Sequence, residues 1–153
     1  MGKDITDYAL REENRRIRKA LKYIYKEVLA AVSVKAYSLK TLKELDYPYA
    51  KRHGRIQKSK IAPLYVYNVH ERSGDFKKGF KTKFRKGTRS VEALGKIYYD
   101  FGSGSQWAAA VFKGSKKMIK RNPIQGVMRT ARVRKNVLTI LYGTRASSRG
   151  FTS

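Results

Sequence analysis

There is no cysteine in this chain of 153 residues, so neither disulfides nor thiolate metal sites can form. That composition fits an intracellular protein without requiring one. His53 and His70 are the only imidazoles, and neither has a second ligand candidate at a metal-binding spacing. No run of 18 apolar residues occurs, so no helix is expected to span a membrane. The first residues, Met1-Gly2-Lys3-Asp4-Ile5, lack the apolar core of a signal peptide, and the expectation is a soluble protein.

Acidic residues are few as well: 11 Asp and Glu face 36 Lys and Arg, a net charge of +25. The imbalance grows along the chain. Residues 51–89 hold 13 basic side chains and only Glu71 and Asp75 on the acidic side; beyond Asp100 there are 11 basic residues and no acid. Self-repulsion of this size opposes compaction, so the working state is expected to include negative charge from a partner. Nucleic acid, an anionic membrane surface and an acidic protein are the candidates, against the plainer reading of a merely solvated surface.

The shortage of acids also bears on catalysis. A nuclease would gather carboxylates on Mg²⁺, but Glu71, Asp75, Glu92 and Asp100 are scattered with no linking motif. Gly102-Ser103-Gly104 lacks the third glycine and the Gly-Lys-Ser/Thr of a phosphate-cradling loop, and reads as a flexible connection. No Gly-x-Ser-x-Gly elbow is present. A protein that binds rather than catalyses, with no cofactor and no metal, is the expectation.

What is present supports one folded domain over 1–153, with a basic tail at about 143–153. Apolar residues make up 41 % of the chain, with 11 Tyr, 6 Phe and 1 Trp, enough for a core at this length. Across 8–36, Leu10, Ile17, Leu21, Ile24, Val28 and Ala31 or Val32 recur at three- and four-residue steps, an amphipathic helix whose polar side carries Arg11, Arg15, Arg18, Lys19, Lys22 and Lys26. Such a helix also suits a membrane surface, although no Trp or Phe sits on its apolar face. Its stripe is expected to pack on a sheet or on a neighbouring subunit.

Further on, Ser38 can cap a short helix through Leu39, Leu42 and Leu45, and Tyr47-Pro48 should end it. Residues 51–60 read as a basic loop and 64–70 as a strand. Ser73-Gly74-Asp75 is a turn, with Phe76 and Phe80 one helical turn apart. Phe80, Thr82 and Phe84 alternate with Lys81, Lys83 and Arg85 as in a half-buried strand. Residues 86–89 read as a loop and 91–101 as the next strand. Asn122-Pro123 starts a helix with Asn as cap, placing Ile124, Val127, Met128 and Ala131 on one face. Residues 137–142 suit helix or strand, and Gly143 ends either.

Basic and aromatic side chains interleave on the predicted hairpin. Stacking of bases on exposed rings is one reading; the alternation favours rings in the core and cations in water. Either way the cations can neutralise phosphates. The candidate contacts for nucleic acid or an acidic partner are Lys51, Arg52, Arg55, Lys58, Lys77, Lys78, Lys81, Lys83, Arg85, Lys86, Arg89, Lys116, Lys117, Lys120 and Arg121. Binding of this kind would be sequence-tolerant and salt-sensitive. No zinc-finger spacing, basic zipper or RNA-recognition pattern is present.

Four stretches, in order, carry a family resemblance. Leu42-Lys-Glu-Leu-Asp-Tyr-Pro48-Tyr49-Ala-Lys-Arg52-His53-Gly54 comes first; Tyr67-Asn-Val-His70 with Ser73-Gly74-Asp75-Phe76-Lys-Lys-Gly79-Phe80 second; Tyr98-Tyr99-Asp100-Phe101-Gly102-Ser103-Gly104 third; and Asn122-Pro123-Ile124 with the helix after it fourth. Their series resembles the neck, head–tail joining or tail-completion proteins of tailed bacteriophages, with Asp100 in place of Glu, Gly79 in place of Ser and Ile124 in place of Phe. The resemblance implies an α+β fold: a long N-terminal amphipathic helix packed on a small antiparallel sheet, with a further helix near the C-terminus. It also implies a minor virion structural protein, made in the host cytoplasm, whose copies form a ring between portal and tail. Implied partners are further copies of the chain, portal or adaptor and tail proteins, and DNA through its backbone, with no membrane. The apolar stripe at 10–32 and the loops at 51–60 and 102–117 are the implied subunit contacts. The alternative reading is a sequence-tolerant nucleic-acid-binding protein acting through its basic surface.

Overall fold

The computed structural model describes residues 2–35, 38–44, 51–52, 55–56, 70–71, 74–104, 107–115 and 120–143, and they form an α+β fold. It begins with helix α1, Gly2–Ala31, about 45 Å long at 1.5 Å per residue. The predicted helix ran to residue 36. The observed one stops earlier because Val34–Lys35 (β1) pairs in parallel with His70–Glu71 (β4), Val34 opposite His70. Helix α2, Leu39–Glu44, starts as predicted: the Ser38 hydroxyl accepts from the Thr41 backbone N–H at 3.1 Å. Within the expected loop at 51–60, Lys51–Arg52 (β2) and Arg55–Ile56 (β3) pair antiparallel. Of the expected strand at 64–70 only His70 falls within the described residues.

The longer antiparallel pair is β5, Phe80–Arg85, with β6, Leu94–Tyr99, shorter than the predicted 91–101. A single turn of helix, α3 (Asp75–Lys78), leads into it from Gly74, whose φ of 83° suits a residue without Cβ. After the sheet come α4, Ala108–Lys113; α5, Pro123–Arg129; and α6, Ala131–Tyr142. Asn122 caps α5 by accepting from the Gln125 N–H at 3.2 Å, with Pro123 at the first helical position, as expected from the sequence. The expected single face from Ile124 to Ala131 is interrupted. Thr130 takes an extended ψ of 121°, closing α5 and opening α6, and leaves Met128 and Ala131 exposed. Residues 137–142, open between helix and strand, are helical and stop at Gly143.

Helix α1 packs against β5, β6, α5 and α6. Ala20, Leu21, Val28 and Val32 are buried, so the apolar stripe is covered within the chain rather than offered to a neighbouring subunit. Arg132 reaches Glu27 at 2.7 Å, Asn136 donates to the Tyr23 hydroxyl at 2.8 Å, and Tyr25 donates to the Phe80 carbonyl at 3.0 Å.

The centre of the core is aromatic. Phe76, fully buried, lies 5.4 Å from Phe80, 5.1 Å from Tyr99, 5.9 Å from Phe112 and 5.1 Å from Trp107, the last stacked at 10°. Gly79 and Gly104 both lie against the Tyr99 ring with no space for a Cβ. Glycine at 79 is explained by that ring. Gly79→Ala should therefore cost about 1–3 kcal/mol through overpacking, read from urea unfolding with an unchanged m-value. A neutral substitution would mean that Tyr99 can turn aside.

Candidate functional site

Pairing in the sheet sorts its side chains onto two faces. Phe80 stands opposite Tyr99, Thr82 opposite Ile97 and Phe84 opposite Gly95 on the side toward α1, where Leu21 sits over Gly95. Lys81 opposite Tyr98, Lys83 opposite Lys96, and Arg85 opposite Leu94 occupy the other side, and all six are exposed. Lys96 lies 5.7 Å from the Tyr98 ring centre on this outward face. Lys83 and Lys96, directly opposed, repel one another. Of the alternating Phe80, Thr82 and Phe84, Phe80 is core and Phe84 half-buried while Thr82 is exposed; Phe76, on α3, is also core, and the hairpin cations face water.

A second basic surface lies on the α1 side. Arg11, Arg15, Arg18, Lys19 and Lys22 from α1, with Lys86 from the loop after β5, line an open groove floored by Asn14. Asn14 is buried on the apolar stripe of α1. Its Oδ1 accepts from the Gly87 N–H at 2.7 Å, and its Nδ2 donates to the carbonyls of Leu10 at 2.8 Å and Gly87 at 3.3 Å. This amide ties the loop to the helix and thereby holds Lys86 across from the α1 cations. The Arg18 guanidinium lies 4.8 Å from the centre of the Phe84 ring. Arg15 donates from Nε and one Nη to Glu12, each at 2.7 Å, and Arg16 donates to the same carboxylate at 2.9 Å. Those hydrogen bonds, Arg15 before Arg16, hold the Glu12 carboxyl down at about 2 and push the Arg15 guanidinium up. Being on the surface, the cluster orders side chains more than it stabilises the fold.

Most of the predicted contact residues that the structure describes are exposed, but they do not form one surface. Lys81, Lys83 and Arg85 share the outward sheet face, and Lys86 belongs to the groove. Lys77 and Lys78 are exposed on α3, with Lys78 paired to Asp75 at 2.9 Å; Arg89 is paired to Asp7 at 3.0 Å. Lys120 is exposed. Arg121 is a correction: it is 6 % exposed, and its backbone N–H donates to the Val111 carbonyl at 2.8 Å, so it belongs to the packing of α4 rather than to a contact surface. The backbones of Lys51, Arg52 and Arg55 form β2 and β3, while Lys58, Lys116 and Lys117 lie outside the described residues. Arg11, Arg15, Arg18, Lys19 and Lys22 were read only as the polar side of a helix. Their signal was a cationic stripe at steps of four, three and four (11, 15, 18, 22) with no acid between Arg15 and Lys26.

Several motif residues shape turns. Gly74 enters α3, Phe76 centres the core, and Pro123 is buried at the start of α5. Asp100 organises the segment expected to be a flexible connection: its carboxylate accepts from the Gly102 N–H at 3.0 Å and the Ser103 hydroxyl at 2.9 Å. Phe101 and Trp107 flank that turn, 52 % and 44 % exposed. Pro48, Tyr49, His53 and Ser73 lie outside the described residues. The Ser103 hydroxyl first, then the Gly102 N–H, hold the Asp100 carboxyl below its ordinary range. Its contribution is thus complete above the ordinary carboxylate value and is lost as pH falls through the lowered one. The Gly102 amide shift should stay constant through the neutral range and move only in acid, below the ordinary carboxylate range. Asp100→Asn should abolish that acid step, and an unchanged step would assign it to another group.

Among the described residues no helix is long and apolar enough to cross a membrane, and no three His, Asp or Glu side chains gather as metal ligands. The fold defines an α+β protein in which the described residues carry two separate cationic faces. Comparison with protein-family models, with curated proteins and with solved structures returns no match.

Proposed function

We propose that this protein is a structural component of a tailed-phage virion, several copies forming a ring at the head–tail connection between portal and tail. Supporting this reading are the four ordered stretches of the resemblance, three of which meet in one place. Phe76 of the second, Tyr99 of the third and Val127, in the helix opened by Pro123 of the fourth, belong to a single core. The motif residues therefore have a common structural reason to occur in that order. Phe101 and Trp107, exposed beside the Asp100 turn, are the apolar side chains this reading assigns to subunit contact, in place of the covered stripe of α1. No catalytic role, cofactor or metal enters it.

The experiment is mass spectrometry of density-purified, nuclease-treated particles of the encoding phage, quantifying this chain against the portal protein. A fixed ratio near one ring's worth of copies is the expected result. Absence from particles, with the chain abundant in infected cells, would overturn the reading.

A further inference from the structure

We propose that the groove between α1 and the loop after β5 binds the phosphodiester backbone of double-helical DNA without regard to sequence. Arg11, Arg15, Arg18 and Lys22 follow one side of α1 over about 16 Å, at 1.5 Å per residue. Lys19 and Lys86 complete the lining, which contains no acidic residue. Among the described residues, Arg11, Lys19, Lys22 and Lys86 have no acidic partner within the 4.0 Å of an ion pair. Arg15 and Arg18 are held in place by Glu12 and by the Phe84 ring, and Arg15 keeps the rest of its five N–H donors. Ordering before contact lowers the entropy cost of binding.

The lining also argues for the kind of partner. Protein interfaces are built around aromatic and aliphatic anchors and are depleted in lysine; this groove has three lysines, and the apolar part of its lining is the aliphatic stems of its basic side chains. A second copy is a poor source of negative charge, since the chain has only 11 acids for 36 bases and Asp7, Glu12, Glu27 and Asp75 are already paired internally. One strand of duplex DNA presents a phosphate about every 3.4 Å, so a stripe of this length runs beside about five of them, close to the number of cations along it. The groove's amide, Asn14, is buried and engaged with backbone, so it cannot make the bidentate adenine contact that amide side chains supply. This inference stands apart from the ring reading: particle composition tests one and DNA binding the other, and either can fail alone.

The test is fluorescence anisotropy of the full chain with two 20-base-pair duplexes of unrelated sequence, from 50 to 200 mM salt. The two duplexes should bind equally, with log K falling linearly in log salt. The variant R11Q/K19Q/K22Q/K86Q should flatten that slope by about 3–4, near 0.9 per lost phosphate contact. The variant K81Q/K83Q/R85Q/K96Q removes the same charge from the outward sheet face and should change it by less than about 1. Lysine acetylation of wild-type protein, read by mass spectrometry, adds a measurement that needs no variant. Bound duplex should protect Lys19, Lys22 and Lys86 more than Lys81, Lys83 and Lys96. Equal effects of the two variants, equal protection, no binding at 50 mM salt, or tighter binding to polyglutamate than to duplex would each overturn the proposal.

Discussion

Phe76→Ala should destabilise the protein by about 3–5 kcal/mol, the range for deleting a buried aromatic ring. The ring is fully buried, and four other aromatic side chains lie within 6 Å of it. Little nearby can close the gap. Phe80 and Tyr99 are fixed by sheet pairing, and Phe112 by α4. Trp107 rests directly on Phe76 and is the chain's only tryptophan, so its emission should shift to the red as one face becomes wet. Thermal unfolding should fall by about 10 °C or more for a chain of this size. Phe76→Leu, which refills most of the space, should recover more than half of the loss. A change below 1 kcal/mol in the alanine variant would mean that the ring cluster is not the centre of stability.

The second large effect is expected at Asn14. Its side chain makes three hydrogen bonds to backbone, two of them to Gly87, 73 positions away. Asn14→Ala would leave the Gly87 N–H and C=O without these partners in a buried place, at a cost of about 1–3 kcal/mol. The loop is close to Ala93 here: a Cβ placed on Gly87 would fall 2.8 Å from the Ala93 nitrogen. The loop should loosen before the rest of the fold does, so exchange of the Gly87 amide should accelerate more than exchange in β5 or α6. Uniform acceleration would show that Asn14 supports the whole molecule rather than the loop alone.

Asn14 also shows where the sequence was legible and where it was not. The apolar stripe of α1 was readable because burial enforces a 3.6-residue period on Leu21, Ile24, Val28 and Val32. Asn14 occupies that stripe too, four after Leu10 and three before Ile17, and was passed over because hydropathy alone cannot see a distant backbone partner. A polar residue in register with a buried face was the available clue. Local chemistry served well where it acts within a few residues, as in the Ser38 and Asn122 caps and the alternation in β5. It failed where a long-range pairing or a single dihedral decides. The end of α1 follows from β1 meeting β4, and the break at Thr130 from one extended ψ. The basic surface was legible as a quantity of charge but not as a place. Strand alternation sends Lys81, Lys83 and Arg85 away from α1, while the loop held by Asn14 carries Lys86 toward it.

The packing of α1 has a consequence for how the chain is made. The helix leaves the ribosome well before the residues that cover its apolar side, from Phe80 to Val133. At about 5–20 residues per second, the roughly 50 residues between Val32 and Phe80 take several seconds to synthesise, and those up to Val133 about twice as long. Most helical stability in proteins comes from packing an amphipathic face. During translation α1 therefore waits, with Leu21, Ile24, Val28 and Val32 bare, for a partner that its own chain has yet to supply.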